Sequence, residues 1–184
     1  MSTKNTNSHL RVRMLCEGAM MVALAQVLSY IKLMELPNGG SLTPAMFPVI
    51  LFAVRWGLTP GLMAGFTFGL LQLIFDGAYA WGWQSMLLDY LVAFMALGMA
   101  ELFARPFKNR MVGVAVGTAV AGFLRFMCSF LSGVLIWGNL SDGLPAWIYS
   151  LTYNGSYMLP EGIMTTIAVV LLYKAAPQLF SANN

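Results

Sequence analysis

Charge is scarce in this sequence. Ten Lys and Arg and seven Asp and Glu are spread over 184 residues, 9% of the chain. Soluble domains carry about 25% charged residues, so this chain lacks the polar surface that a globule in water needs. Histidine is scarcer still: the single copy, His9, lies in a polar N-terminal stretch. That excludes a Ser-His or Cys-His nucleophile and an H-E-x-x-H metal helix from the apolar body, and with them most hydrolytic enzymes. The two cysteines, Cys16 and Cys128, sit inside separate apolar runs. They read as small buried hydrophobes rather than disulfide halves or a metal pair. No G-x-x-x-x-G-K-[ST] phosphate loop occurs, so an ATP-driven step has to belong to another chain. Nothing in the composition asks for a cofactor.

What the sequence has in abundance is apolar residues, 59% of the total, with a mean hydropathy of +0.72. A bilayer is the solvent that fits. One crossing takes about 20 residues, which leaves room for about six helices and short loops. Apolar segments run over residues 14–33, 44–56, 61–75, 85–103, 111–137 and 146–175. Turn formers separate them: Pro37, Asn38, Gly39, Gly40 and Ser41 in the first loop, then Gly57 to Pro60. Pro160 predicts a kink in the last helix. The first segment has no small-residue cleavage site and reads as a retained helix. The expected organisation is an N-terminal tail over residues 1–12, an all-α membrane domain of six transmembrane helices over 13–178, and a tail over 179–184.

The few charges carry the orientation. With six crossings, Lys4, Arg11, Arg13, Arg55, Arg105, Lys108, Arg110 and Lys174 all fall on one side, while Lys32, Glu35, Asp76 and Asp142 fall on the other. The positive-inside rule then puts both termini in the cytoplasm of a multi-pass protein. The same placement accounts for a net charge of +3 without a nucleic-acid partner.

Depth follows from a rise of about 1.5 Å per residue. Asp89 lies about 6 Å below the outer surface and Tyr90 adjoins it. Ser129, Gly133 and Trp137 form a stripe at spacing four on the fifth helix. Tyr149 and Asn154 lie in the first turns of the sixth, and Tyr79, Trp81 and Trp83 in the loop above the fourth. One carboxylate, one amide and several aromatics therefore converge near the outer face. Such a group suits a flat, cationic small molecule, which gains from ring faces and from an anionic partner. Interfacial aromatics also belong to any membrane protein. A carboxylate inside a helix is the sharper signal, because its burial is costly. Arg125 and Glu161 lie deeper, at about 18 and 22 Å, and their similar depth predicts a structural charge pair. Gly61, Gly65 and Gly69 read as a helix-packing stripe, and Ala19 and Ala23 as a second small-residue pair.

Five strings, Gly39-Gly40-Ser41, Phe52-Ala53-Val54-Arg55-Trp56-Gly57, Leu88-Asp89-Tyr90-Leu91-Val92-Ala93, Ser132-Gly133 and the run from Trp147 to Asn154, occur in order. In these the chain resembles the thiamine-specific S-component family, the substrate-binding subunits of energy-coupling-factor transporters. The resemblance covers residues 13–177. It implies a prokaryotic plasma-membrane protein that captures thiamine with high affinity, without catalysis, beneath a lid formed by Pro37, Asn38, Gly39, Gly40 and Ser41. It implies that Asp89 faces the thiazolium, that Tyr90, Tyr79, Ser129, Gly133, Trp137 and Tyr149 line the site, and that Asn154 hydrogen-bonds the ligand. It implies that Ala19 and Ala23 dock a coupling transmembrane subunit, which works with two ATPase subunits. Family members often carry histidine where this chain has Ser129, and some carry glutamate where it has Asp89. Two alternatives stand beside this reading. One is an S-component for another vitamin or a pyrimidine precursor. The other is a stand-alone secondary transporter, which needs an ion relay across the full thickness.

Overall fold

The computed structural model describes residues 3–37, 39–77, 80, 82–136 and 143–182. Helices dominate. Helix α1 (Thr3–Ser29) leads into a hairpin of β1 (Met34–Glu35) and β2 (Ser41–Leu42), which pair antiparallel, Met34 with Leu42 and Glu35 with Ser41. Helices α2 (Met46–Trp56) and α3 (Leu58–Asp76) follow. Next comes a composite stretch: α4 (Gly82–Ser85), a π-helical segment (Met86–Val92) and α5 (Ala93–Leu97), then α6 (Ala100–Ala104). Helices α7 (Arg110–Ile136) and α8 (Ala146–Ala175) pack along each other, and a 3₁₀ turn (Pro177–Phe180) ends the chain.

Within these helices, Ser8–Ser29, Leu58–Asp76, Arg110–Ile136 and Ala146–Ala175 are long and apolar enough to cross a bilayer. Met46–Trp56 and Gly82–Leu97 are apolar but shorter. At 11 residues, α2 is about 16 Å long, half the thickness of a hydrocarbon core of about 30 Å. It is nevertheless the centre of the fold. Eight of its residues, Met46 and Pro48 through Val54, are buried, a pattern that a helix shows only when neighbours surround it. Its end is set by Gly57, whose φ of 96° suits glycine; the Gly57 N–H caps Ala53 O at 2.8 Å.

Small residues set how closely the helices approach. A Cβ added at Gly65 would run into the carbonyl of Phe94, and one at Gly69 into that of Tyr90. One at Gly61 would sit 2.6 Å from the Ala53 Cβ and 2.8 Å from the Gly98 carbonyl. The glycine stripe of α3 thus packs inside this chain, against α2 and the composite helix, as small residues do in lipid.

One end of the bundle is tied by one carboxylate. Glu17 of α1 accepts from Arg13 Nε at 2.9 Å, Arg55 Nε at 2.7 Å and Trp56 Nε1 at 2.7 Å. Arg55 Nη1 in turn donates to the carbonyls of Gln178, Leu179 and Ser181, so α1, α2 and the C-terminal turn share one knot.

Several boundaries differ from expectation. Helix α1 begins at Thr3, well before the apolar run, because a polar helix continues for several turns once an apolar one has nucleated it. The fourth helix is interrupted at Gly98 and Met99, where the N–H groups bond three residues back to Met95 and Ala96. Helix α8 runs unbroken through Pro160. Cys16 is exposed on α1 rather than buried; on a lipid-facing helix a thiol is one more small apolar group.

Candidate functional site

A cavity of about 130 Å³ lies where the hairpin, α3, the π segment, α7 and α8 meet. Asp89 stands on the π segment, whose wide turn carries a surplus residue. Ser85, one turn earlier, donates to Asp89 Oδ2 at 2.7 Å, and Ser132 of α7 donates to the same oxygen at 2.5 Å. Ser129 of α7 is a third hydroxyl neighbour of this carboxylate, and no ion pair with a cation forms at it among the described residues. Tyr90 lines the cavity and donates to the carbonyl of Asp76 at 3.2 Å, which fastens the π segment to the end of α3.

Helix α8 supplies an aromatic ladder. Tyr149 and Tyr153 stack at 6.0 Å with planes 10° apart, and Tyr153 meets Tyr157 edge-on at 5.9 Å. Spacing of four puts all three on one face, and all three line the cavity. Asn154, buried beside them, is held on both sides of its amide. Its Nδ2 donates to Ser129 O at 3.3 Å and Ser150 O at 3.1 Å, and its Oδ1 accepts from Tyr157 at 3.1 Å. Gly133 marks the close approach of α7 and α8: a Cβ there would collide with Ser150 Oγ. Ser129 is buried and lines the same space.

The floor is charged. Arg125 Nη1 donates to Glu161 Oε2 at 2.5 Å and also meets Met46 Sδ at 3.1 Å. Thr43 donates to Glu161 Oε1 at 3.3 Å, and the guanidinium lies 4.7 Å from the Phe94 ring centre. Arg125 lies seven residues along α7 from Ser132, about 10 Å below the Asp89 contact, and itself lines the cavity. The roof is the hairpin. Gly39, Gly40 and Ser41 line the cavity, and Gly40 N–H donates to the Tyr153 hydroxyl at 2.9 Å. Pro37 lies in a turn of that hairpin and is not among the lining residues. At Gly40 a Cβ would press within 2.7 Å of the Tyr157 ring, so only glycine lets the loop settle there.

Of the residues singled out in the sequence, Asp89, Tyr90, Ser129, Gly133, Tyr149 and Asn154 share this cavity. Ala19 and Ala23 do not; they are exposed on the outer face of α1. Tyr79, Trp137 and Asn38 lie outside the described residues. Sequence reasoning missed Ser85 and Ser132 as the partners of Asp89, Tyr153 and Tyr157 as wall residues, and Gln72. The tyrosines were detectable from their spacing of four; isolated serines and glutamines carry no such signal.

Apolar helices long enough for a bilayer, enclosing a polar chamber, define a membrane protein with an internal site. Residues 15–181 match the family described as Thiamine transporter protein (Thia_YuaJ), and the chain belongs to that family. It is 34% identical to the thiamine transporter ThiT of Bacillus subtilis (strain 168) over 181 residues, 92% of this chain and 94% of that one. It is 32% identical to the thiamine transporter ThiT of Lacticaseibacillus paracasei over 192 residues, 96% and 94% of the two chains. Among solved structures, ThiT from Listeria monocytogenes superposes with a TM-score of 0.82 at 27% identity, covering 93% of this chain and 98% of that one. The S component of a bacterial ECF transporter shares the fold, with a TM-score of 0.66 at 18% identity over 91% and 97% of the chains.

Proposed function

We propose that this chain captures thiamine with high affinity at the outer face of a prokaryotic plasma membrane, as the S-component of an energy-coupling-factor transporter. The observation that carries this reading is Asp89, a carboxylate inside the helical body whose described partners are all neutral hydroxyls. A carboxylate so placed is costly unless a cation joins it, and the thiazolium of thiamine is a permanent cation. The tyrosine ladder offers ring faces to a flat heterocycle. Tyr79 and Trp137 are assigned to ligand binding in this reading by the family resemblance alone. Asn154 hydrogen-bonds the ligand in this reading, through the lone pair that its Oδ1 keeps beside the Tyr157 bond.

The chain crosses the membrane six times in this reading, with α2 and the composite helix as the short crossings and both termini in the cytoplasm. The basic residues near the Glu17 knot support that orientation. The loop from Pro37 to Ser41 serves as the lid. A cavity of about 130 Å³ is below the roughly 300–1,000 Å³ of common small-molecule sites, so the roof has to yield when thiamine arrives. Ala19 and Ala23, exposed on an apolar face with Met20 and Val27, receive the coupling transmembrane subunit, and two ATPase subunits drive release inward.

Calorimetry of the purified protein against thiamine, riboflavin, pyridoxine and hydroxymethylpyrimidine tests the ligand. Thiamine is expected to bind tightest, and tighter binding of any other compound overturns the assignment. Ala19→Trp is expected to leave thiamine binding unchanged and to stop uptake in cells that carry the coupling proteins. Intact uptake in that variant removes α1 as the docking face.

A further inference from the structure

Between α1 and α3 runs a short polar chain that the site description leaves unused. Gln72 Nε2 donates to Gln26 Oε1 at 3.0 Å, and Gln26 Nε2 donates to the Tyr30 hydroxyl at 3.1 Å. Both glutamines are buried, Gln72 at 7% exposure and Gln26 at 9%. Such amides in an apolar helix bundle are held by the partners they find. Here the partners also fix direction. With one N–H of Nε2 given to Gln26, the amide is oriented and its Oε1 is turned away from that partner. Gln72 itself lines the cavity. Phe68, Gln72 and Asp76, spaced by four on α3, all line the cavity, so this face of the helix is turned toward the ligand space.

We propose that Gln72 reads the ligand: its Oε1, aimed by Gln26 and Tyr30, accepts a hydrogen bond from an exocyclic N–H of the bound molecule. The site then selects for two features at once, a positive ring for Asp89 and a primary amine on the second heterocycle for Gln72. An acceptor in a low-dielectric wall discriminates strongly, because a ligand without the N–H leaves it unpaired. The proposal rests on the thiamine reading above and adds a specificity determinant on α3, a helix to which that reading gave no ligand contact.

The test crosses two proteins with two ligands. Wild type and Gln72→Met are titrated with thiamine and with an analogue that carries hydrogen in place of the pyrimidine amine. Gln72→Met is expected to weaken thiamine by about tenfold and to leave the analogue within about twofold of wild type. Binding of the analogue doubles as the check that the variant folds. Equal weakening of both ligands, or of neither, overturns the role of Gln72 while thiamine capture stands. A wild-type protein that takes neither compound overturns the thiamine reading and this one with it. Gln26→Met, which frees the Gln72 amide to turn, is expected to give a smaller loss confined to thiamine; an unchanged thiamine affinity there overturns the aiming by Gln26.

Discussion

Three of the carboxylates that the helices carry have surroundings that differ in kind. Glu17, beside the C-terminal turn, accepts from two guanidinium groups and an indole. Glu161, at the cavity floor and 1% exposed, faces Arg125 and the Thr43 hydroxyl. Asp89, in the cavity wall, has the hydroxyls of Ser85, Ser132 and Ser129 and no ion pair among the described residues. The first two are finished interactions: their charge is balanced inside the protein, and they hold α1 to α2 and α7 to α8. Asp89 is oriented but not balanced. A membrane protein that can satisfy two acids so thoroughly, yet leaves the third to neutral donors, has reserved it for something that arrives from outside.

The contrast can be broken most forcefully at the floor. Arg125→Met would strand a buried carboxylate, and a stability loss of about 3–5 kcal/mol is expected, read by chemical unfolding in detergent. Arg125→Met combined with Glu161→Met should recover most of it; a double variant as unstable as the single one would mean that the pair is not a closed unit. The cavity wall comes next. Asp89→Asn should weaken thiamine binding by about 1–3 kcal/mol with the melting temperature retained, whereas Glu17→Gln should leave thiamine affinity unchanged in the same titration. Equal effects would erase the distinction between a reserved acid and a spent one. The smallest change is expected at Arg13, whose side chain is 41% exposed. Removing it as Arg13→Ala should cost at most about 0.5 kcal/mol, since Arg55 still holds Glu17; a larger loss would show the knot to depend on its outermost member.

How much of this was legible in the sequence depended on whether position alone carried the signal. Asp89, Arg125 and Glu161 stood out because charge is rare in these segments, and depth arithmetic set Arg125 near Glu161. The tyrosines at 149, 153 and 157 had a readable period, though only the first was taken up. The Asp89–Ser132 contact was not legible: it joins helices far apart in the chain, and serine is common in apolar helices. The chain of Gln26 and Gln72 was hidden for the same reason. Residues 3–12 looked like a tail because hydropathy reports solvent preference, and a polar helix keeps its backbone bonds without an apolar face. The hairpin of β1 and β2 involves only two residues per strand, too few for any alternation to register.

The π segment has a further consequence. In an ordinary α-helix each residue advances about 100° around the axis, so one surplus residue between Met86 and Val92 resets the phase of everything beyond it. Taking a single residue out of that stretch would keep every functional side chain in the sequence and yet rotate those on one side of the cut by that angle relative to the other. Homologues of equal composition but one residue shorter here would therefore not be interchangeable with this chain.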